Sequence, residues 1–178
     1  MKKFFKKAGL WIGLIILAAI LFSFLLPKEV TVSRNITVSA PIDRVFDQVN
    51  DLRNWEKWSP WKRMDPMMEM TFSNPPVGHG AFYKWVSKDK NLGTGTCTLA
   101  KVVNNEEIVT ALHSDDWGDS NATFNFSHKG NDILVTWKMT NDVGNMPWSK
   151  YFSLAMKGML KKQFDQGLEG IKFYAEKS

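Results

Sequence analysis

The N-terminal part of the chain contains one long uncharged hydrophobic segment. The stretch AGLWIGLIILAAILFSFLL runs from Ala8 to Leu26, 19 residues, and as a helix rising about 1.5 Å per residue it covers roughly 28 Å. The hydrocarbon core of a bilayer is about 30 Å thick. Bulky residues at the end of the segment, from Phe22 onward, argue against cleavage as a signal peptide. The pattern therefore predicts an uncleaved transmembrane anchor over residues 8–26.

Charges on either side of this segment predict its orientation. Residues 1–7 carry four lysines, which outweigh Lys28 and Arg34 on the other side. By the positive-inside rule, we expect residues 1–7 to form a basic cytoplasmic N-terminus and the rest of the chain to be periplasmic or extracellular. Residues 27–29 form a very short linker, about 3.5 Å per residue. The domain predicted over residues 30–178 is therefore held against the lipid surface.

Alternation of hydrophobic and polar residues predicts a series of strands after the linker. In the first of them, Val30, Val32, Ile36 and Val38 alternate with polar residues, while Arg34 interrupts the pattern and indicates a bulge or an edge strand. Separators rich in Asn, Asp and Gly divide the later strands, as in an antiparallel meander. The remaining predicted strands are Met68–Ser73, Ala81–Ser87, Gly93–Val103, Glu107–Ser114, Asn121–His128 and Asp132–Thr140.

Two short helices are predicted between the first two strands. Pro41 suits the first position of a helix, Asp43 suits the positive end of its dipole, and an apolar stripe follows. Leu52, Trp55 and Trp58 have the spacing of one face of a second helix. The proline at position 60 disfavours helical geometry at the preceding residue, so Trp61 is expected beyond the helix end.

The chain ends in a long amphipathic helix, predicted from Pro147 to Glu176. A single apolar stripe recurs at steps of three and four residues: Phe152, Met156, Met159, Leu160, Phe164, Leu168 and Ile171. Lysines on the polar side predict a solvated face, with contact to anionic headgroups as the alternative. The order of elements predicts an α+β fold in which a curved seven-stranded antiparallel sheet wraps around this helix and buries the stripe.

These elements resemble a known superfamily. The stretch VSAPIDRVFDQVNDLRNWEKWSPW, the strand GTGTCTL and the terminal helix are similar to those of the SRPBCC superfamily, the helix-grip fold of START lipid-transfer domains and polyketide cyclase/dehydratase-like proteins. The resemblance covers Glu29–Lys177, and the N-terminal span is similar to that of a membrane-anchored bacterial branch. It implies a cavity between sheet and terminal helix that holds a hydrophobic small molecule or a lipid, with no cofactor.

The tryptophans of NDLRNWEKWSPW are the first candidates for that cavity. The resemblance implies that they lie at its mouth as rigid apolar wedges, and the alternative is that Trp55 and Trp58 are ordinary core residues. Inward alternation on the strands and the helical stripe supply the rest of the predicted lining. The full set is Trp55, Trp58, Trp61, Phe82, Trp85, His113, Trp117, Phe124, Phe126, Trp137, Met156, Met159, Leu160 and Phe164.

The net charge and the reactive residues limit the classes of function that fit the sequence. Without the four N-terminal lysines, 19 of the 23 basic residues remain against 18 acidic ones, so the near-neutral body is not typical of a nucleic-acid-binding protein. The single cysteine, Cys97, excludes an intrachain disulfide, and the spacing of the histidines predicts no metal site. His113 is the only catalytic candidate, as an acid–base group if its strand face points inward; otherwise it bonds to its own loop.

Three functions remain open from the sequence. The first is a membrane-tethered binding domain for a hydrophobic small molecule or lipid, with no nucleic-acid partner and no predicted oligomeric state. The second is a polyketide cyclase/dehydratase-like enzyme that uses the same cavity. The third is a non-catalytic interaction or structural module whose core is filled.

Overall fold

The computed structural model describes residues 2–116, 118–142, 144 and 146–177, with all of their side chains except those of residues 2–6, 8, 10, 142 and 153–155. Five α-helices, one 3-10 helix (Leu52–Asn54) and seven strands follow one another along the described chain. In chain order they are α1 (Lys2–Ser23), β1 (Glu29–Val38), α2 (Ile42–Asn50), α3 (Trp55–Trp58), α4 (Pro60–Met64), β2 (Glu69–Phe72), β3 (Phe82–Val86), β4 (Thr94–Val103), β5 (Glu107–Ser114), β6 (Gly118–Lys129), β7 (Asp132–Asp142) and α5 (Pro147–Lys177).

The seven strands form one antiparallel sheet in the order β1-β7-β6-β5-β4-β3-β2. Each neighbouring pair except β1–β7 is joined by a direct connection, as expected of a meander, and β1 closes the order by pairing along its whole length with β7. The predicted seven-stranded antiparallel sheet with a long C-terminal helix is therefore confirmed. Over the part of the chain that the structure describes, no helix is both long enough and apolar enough to cross a membrane.

The residue that interrupts the first strand has a partner in the last helix. β1 pairs with β7 without a register shift and lies at the sheet edge, so the edge alternative is correct and the bulge is not. Arg34 falls on the same face as the buried Val32 and reaches α5, where its Nε donates to Asp165 Oδ1 at 2.5 Å. The hydrogen bond to Asp165 raises the pKa of Arg34. A charge on this face is tolerated because it meets an opposite charge at the rim.

The proline after Trp58 starts a helix as well as ending one. Ser59 has the extended ψ of 126° and separates α3 from α4, and Pro60 occupies the first turn of α4. Proline suits that position because its missing N–H has no partner in a helix start. Trp61 therefore lies beyond the end of the helix that carries Trp55 and Trp58, as expected, but within a further helix, α4, that was not predicted.

Helix α5 has two halves, Pro147–Met159 and Leu160–Lys177, in different surroundings. Phe164, Leu168 and Ile171 are fully buried against the sheet and α2. Phe152 and Met159, in the first half, are 53% and 45% exposed. The prediction of a continuously buried stripe is therefore wrong for the first half, because the sheet packs only against the second half of the helix.

Candidate ligand-binding interior

The inward face of the sheet is lined by aromatic side chains from three strands. Strand alternation and register bring Tyr83 and Trp85 of β3, Phe124 of β6 and Trp137 of β7 to the same face. Phe82 pairs with Thr98 and lies on the opposite face, because its neighbour Tyr83 is the buried one. Phe82 is thus not brought to the interior, and Tyr83 was missed. Phe82 and Lys84 lie on the same side of the strand, and the charge of Lys84 was the sequence signal that this side faces outward.

Trp55 and Trp58 fill the space between this face and α5. Both are buried, and their indole N–H groups donate to backbone carbonyls of α2, Trp55 to Val49 at 2.9 Å and Trp58 to Gln48 at 2.8 Å. Their rings lie 4.6 Å apart, and each makes an edge contact with Phe124. Trp55 and Trp58 therefore have the surroundings of core residues, which was the alternative interpretation.

Three aromatic rings form a stack through the centre of the interior. Trp137 lies parallel to Phe164 of α5, with ring centroids 4.0 Å apart, and is stacked on Phe124 at 4.7 Å. Phe126 lies further along β6 and meets Phe46 of α2 edge to face at 5.2 Å. Such contacts are worth about 0.5–1.5 kcal/mol beyond burial. Adjacent rings in this stack are in direct contact, so a ligand cannot lie between them unless they move.

Two glycines let α5 approach the tryptophans closely. A Cβ on Gly167 would lie 2.7 Å from the Trp137 ring, and a Cβ on Gly170 would lie 2.8 Å from Cβ of Trp58. Real Cβ atoms essentially never show such contacts. The second half of α5 therefore packs on the aromatic interior at backbone distance.

Two buried polar groups at the edge of this interior are unsatisfied. Trp137 Nε1 and Gln163 Oε1 have no hydrogen-bond partner among the described residues, although the two side chains are about nine-tenths buried or more. Gln163 Nε2 contacts Met64 Sδ at 3.3 Å, and the half-buried Trp61 meets the Trp137 ring edge to face at 5.7 Å. Both side chains that carry an unsatisfied atom therefore contact α4, Trp137 through Trp61 and Gln163 through Met64. A buried unpaired group costs about 1–3 kcal/mol.

Two ionisable groups of the interior are held neutral. Burial raises the pKa of the Cys97 thiol to about 12, and burial also raises the pKa of the neighbouring Tyr83 well above its ordinary value. The two residues pair across β3 and β4 on the inward face. At neutral pH both are protonated, so the thiol is a weak nucleophile.

His113 lies on the outer face of the sheet. Its side chain is exposed, Nδ1 donates to Asp119 at 2.6 Å, and Nε2 lies 3.6 Å from Asp115. The hydrogen bond to Asp119 raises the pKa of the imidazole. The hydrogen-bond partner therefore lies on the paired strand β6, with the loop residue Asp115 further away, and His113 is not part of the interior. Trp117, predicted beside it, lies outside the described residues.

The remaining predicted lining residues are on α5, and they divide. Leu160 and Met156 are partly buried, whereas Met159 is 45% exposed.

Surface depressions occur outside this interior: one of about 410 Å³ is bordered by Pro41 and His128, and one of about 370 Å³ by Arg63. Within the described part of the chain, no group of three or more His, Cys, Asp or Glu residues is arranged to hold a metal ion.

Sequence comparison identifies a family. The model of a family described as polyketide cyclase / dehydrase and lipid transport matches residues 29–176, which include the whole sheet and almost all of α5. None of the curated proteins matches the chain.

Solved structures show the same fold at low sequence identity. The di-domain ARO/CYC StfQ from the steffimycin biosynthetic pathway is similar with a TM-score of 0.64 and 12% identity, over 84% of this chain and 51% of that one. The Aha1 dimer structure from Colwellia psychrerythraea gives 0.59 and 14%, over 83% and 96%. A protein from Mesorhizobium loti gives 0.60 and 13%, over 84% and 98%. The chain thus spans about half of StfQ and nearly all of the other two.

Proposed function

Because the chain belongs to the polyketide cyclase / dehydrase and lipid transport family, we propose that it binds a hydrophobic small molecule or a lipid between its sheet and its C-terminal helix. Apolar walls with a few polar groups are typical of such sites. The walls are the inward aromatic residues of β3, β6 and β7 and the second half of α5. The polar groups are those of Trp137 and Gln163.

The unsatisfied pair at the α4–α5 junction is the observation that carries this proposal. An N–H donor on Trp137 and a carbonyl acceptor on Gln163 are buried beside rings that offer no hydrogen bond. A ligand with a carbonyl or hydroxyl oxygen accepts from Trp137, and a ligand hydroxyl also donates to Gln163. Binding such a group removes the cost of leaving these atoms unpaired, and so favours an apolar ligand with one oxygenated end.

Entry requires movement of α4. The central rings are stacked in contact, whereas α4 has only five residues and is separated from α3 by the extended Ser59. Its side chains Trp61 and Met64 lie over Trp137 and Gln163 and are partly exposed. A short helix with few buried contacts opens more readily than the sheet. A flexible thioether such as that of Met64 adapts to different apolar shapes.

The same proposal includes a membrane tether. The support is in the sequence: residues 8–26 are an uncharged, predominantly apolar run of 19 residues, with the four lysines before it. Residues 1–7 are then cytoplasmic and the ligand-binding domain is periplasmic or extracellular, joined by residues 27–29. A domain held at the bilayer surface has its ligand entrance close to a source of lipids.

Native mass spectrometry of the full chain, extracted from its own membranes in mild detergent, tests the binding proposal. We expect an apolar compound bound to the folded chain and released by organic solvent. Trp137→Phe keeps the ring stack but removes the N–H, so it should weaken retention by roughly 2- to 10-fold, the value of about 0.5–1.5 kcal/mol for one hydrogen bond. Trp148→Phe, at an exposed tryptophan, is the matched control.

A chain that carries no compound from membranes and takes up none from added lipid would contradict ligand binding. That outcome would favour the interaction or structural module, for which the stack of Phe124, Trp137 and Phe164 is the specific support. The cyclase alternative loses its one proposed acid–base group, because His113 lies on the outer face. Tyr83 and Cys97, which do face inward, are held protonated by burial, which raises the pKa of each.

A further inference from the structure

The first half of α5 carries exposed apolar side chains along one side. Trp148, Phe152 and Met159 are 68%, 53% and 45% exposed, and their spacing of four and seven residues places them on one side of the helix. At about 100° per residue, that side is rotated by roughly 160° from the buried side of Phe164 and Leu168. The helix is therefore amphipathic along its whole length, but the two apolar sides face different surroundings.

On the other side of the same half, a buried lysine joins α5 to α1. Lys150 is 4% exposed, and its Nζ donates to the carbonyls of Ser23 at 2.9 Å and Leu26 at 3.1 Å. Tyr151 donates its hydroxyl to the Ala19 carbonyl at 2.7 Å. Carbonyls at a helix C-terminus lack partners within the helix and carry its negative dipole end, so a lysine satisfies and stabilises them. The two helices are thus attached at the end of α1.

The two elements joined by this attachment both carry exposed apolar side chains. Phe24 and Leu25, just after α1, are 70% and 79% exposed and are next in sequence to the carbonyls that Lys150 binds. Trp148, Phe152 and Met159 form an apolar patch on the opposite side of α5 from Lys150. Together these side chains exceed the scattered exposure normal for a soluble surface. The apolar residues of α1, the segment proposed to enter the bilayer, are likewise exposed.

The chemistry of the patch matches a membrane interface. Tryptophan and tyrosine concentrate at the boundary between headgroups and acyl chains, because their rings are apolar and carry one polar group. Exposed lysines lie beside the patch, Lys28 after α1 and Lys162 three residues after Met159, with Glu29 as the acidic exception. Lysines at that depth contact anionic headgroups.

We infer that the first half of α5, Pro147–Met159, lies in the interface of the bilayer that α1 enters, with Trp148 and Phe152 at the boundary between headgroups and acyl chains. The inference rests on the proposed membrane tether. It adds a second membrane contact, which holds the folded domain in one orientation instead of leaving it free on a three-residue linker.

This orientation bears on the proposed ligand entrance. Gln163 follows Met159 by four residues and so lies on the same side of α5, one turn further. Its partner Met64 is 45% exposed. The interfacial side of α5 therefore leads directly to the α4–α5 junction, and the entrance faces the lipid. The class of ligand this favours is a membrane-dissolved amphiphile that moves sideways from the bilayer.

Nitroxide depth measurement on the full chain in vesicles of phosphatidylcholine and phosphatidylglycerol tests the inference. Cys97 is buried and burial raises its pKa to about 12, so an added cysteine is labelled without removing it. Labels at Trp148→Cys and Phe152→Cys should be several-fold more accessible to oxygen than to a water-soluble nickel chelate. A label at Phe173→Cys, 50% exposed in the second half of α5, is the matched control and should show the opposite preference.

A further label at Ile16→Cys, within the proposed span, separates the two proposals. If the label at position 16 reports lipid while those at 148 and 152 report water, the second contact is overturned and the tether stands. If all of these positions report water, the tether itself is overturned. Lipid-like accessibility at 16, 148 and 152 with water-like accessibility at 173 supports both.

Discussion

The two halves of α5 have similar local sequence patterns and opposite surroundings. In the second half, Phe164 and Ile171 are fully buried, and glycines allow backbone-distance contact with tryptophans. In the first half, Trp148 and Phe152 are exposed, and the position facing the protein carries the buried Lys150. The same three- and four-residue spacing thus produces a core contact in one half and an outward apolar side in the other.

The contrast shows that an apolar stripe identifies a helix and not the partner of that helix. An amphipathic helix buries its apolar side against whatever apolar medium lies there, which is a protein core or a membrane interface. In this chain a single helix meets both. The sequence shows this change of surroundings as a rotation of the apolar stripe around the helix axis between the two halves.

Removal of a buried aromatic ring from the second half of α5 should have the strongest effect on stability. Phe164→Ala deletes a fully buried ring stacked on Trp137, so we expect it to lower the free energy of unfolding by about 3–5 kcal/mol. Urea unfolding of the full chain in mild detergent measures this. The matched variant in the first half, Phe152→Ala, should change the free energy by no more than about 0.5 kcal/mol. Equal losses from the two variants would contradict the difference between the halves.

Glycine-to-alanine substitutions should have opposite signs in the two halves. In Gly170→Ala the new Cβ would lie 2.8 Å from Cβ of Trp58, and overpacking of about 1–3 kcal/mol exceeds the gain in helix propensity of about 1 kcal/mol. We expect a net loss of about 1–2 kcal/mol in the same unfolding assay. Gly158→Ala meets nothing within 4 Å and should stabilise by about 0.5–1 kcal/mol. A stabilising Gly170→Ala would show that α5 does not approach Trp58 of α3 at backbone distance.

A weaker effect is expected on the outer face of the sheet, which neither half of α5 covers. His113 donates to Asp119, and this raises the pKa of the imidazole above its ordinary value. NMR titration should show the raised pKa in the native chain and a value nearer the ordinary one in Asp119→Asn. Asp115→Asn, which removes the more distant carboxylate at 3.6 Å, should lower the pKa less.

The direction of the pH dependence follows from that shift. Because the folded pKa of His113 is raised, the stabilisation by the His113–Asp119 pair is fully present below the unfolded value of about 6.5 and is lost as pH rises through the folded value. A histidine that titrates at or below its ordinary value would place the ring inward, away from Asp119, and would restore the acid–base hypothesis.

Much of the fold was predictable because its signals are local. Alternation at period two identified all seven strands, and three- and four-residue spacing identified α5. The helix end expected before Pro60 is confirmed, but the helix that begins there was not predicted, because a proline that stops one helix also suits the first turn of the next. The Ser59-Pro60 pair at the start of α4 was the signal for that second helix.

The interior was less predictable because it depends on strand pairing. Phe82 and Trp85 were both expected to face inward, but they lie three positions apart and so point to opposite faces of the sheet. Pairing of Tyr83 with the buried Cys97 shows that the inward face is that of Tyr83 and Trp85. His113 shares a face with Val109 and Ala111, and only the register of β5 with its neighbours shows that this face is the outer one. Gln163 was not predicted at all, since a polar residue beside an apolar stripe has the pattern of a solvated position.

By itself the sequence determined the kinds of elements, their order, and the presence of a hydrophobic N-terminal segment, since each depends on residues only two to four positions apart. Only the tertiary structure decided that Trp55 and Trp58 are core residues and that α5 is buried against the sheet along half its length. It also decided that Trp137 contacts Trp61 and Gln163 contacts Met64 while one polar atom of each stays unsatisfied. Those outcomes depend on contacts between residues tens of positions apart, where the packing of one surface on another selects which of two apolar sides is buried.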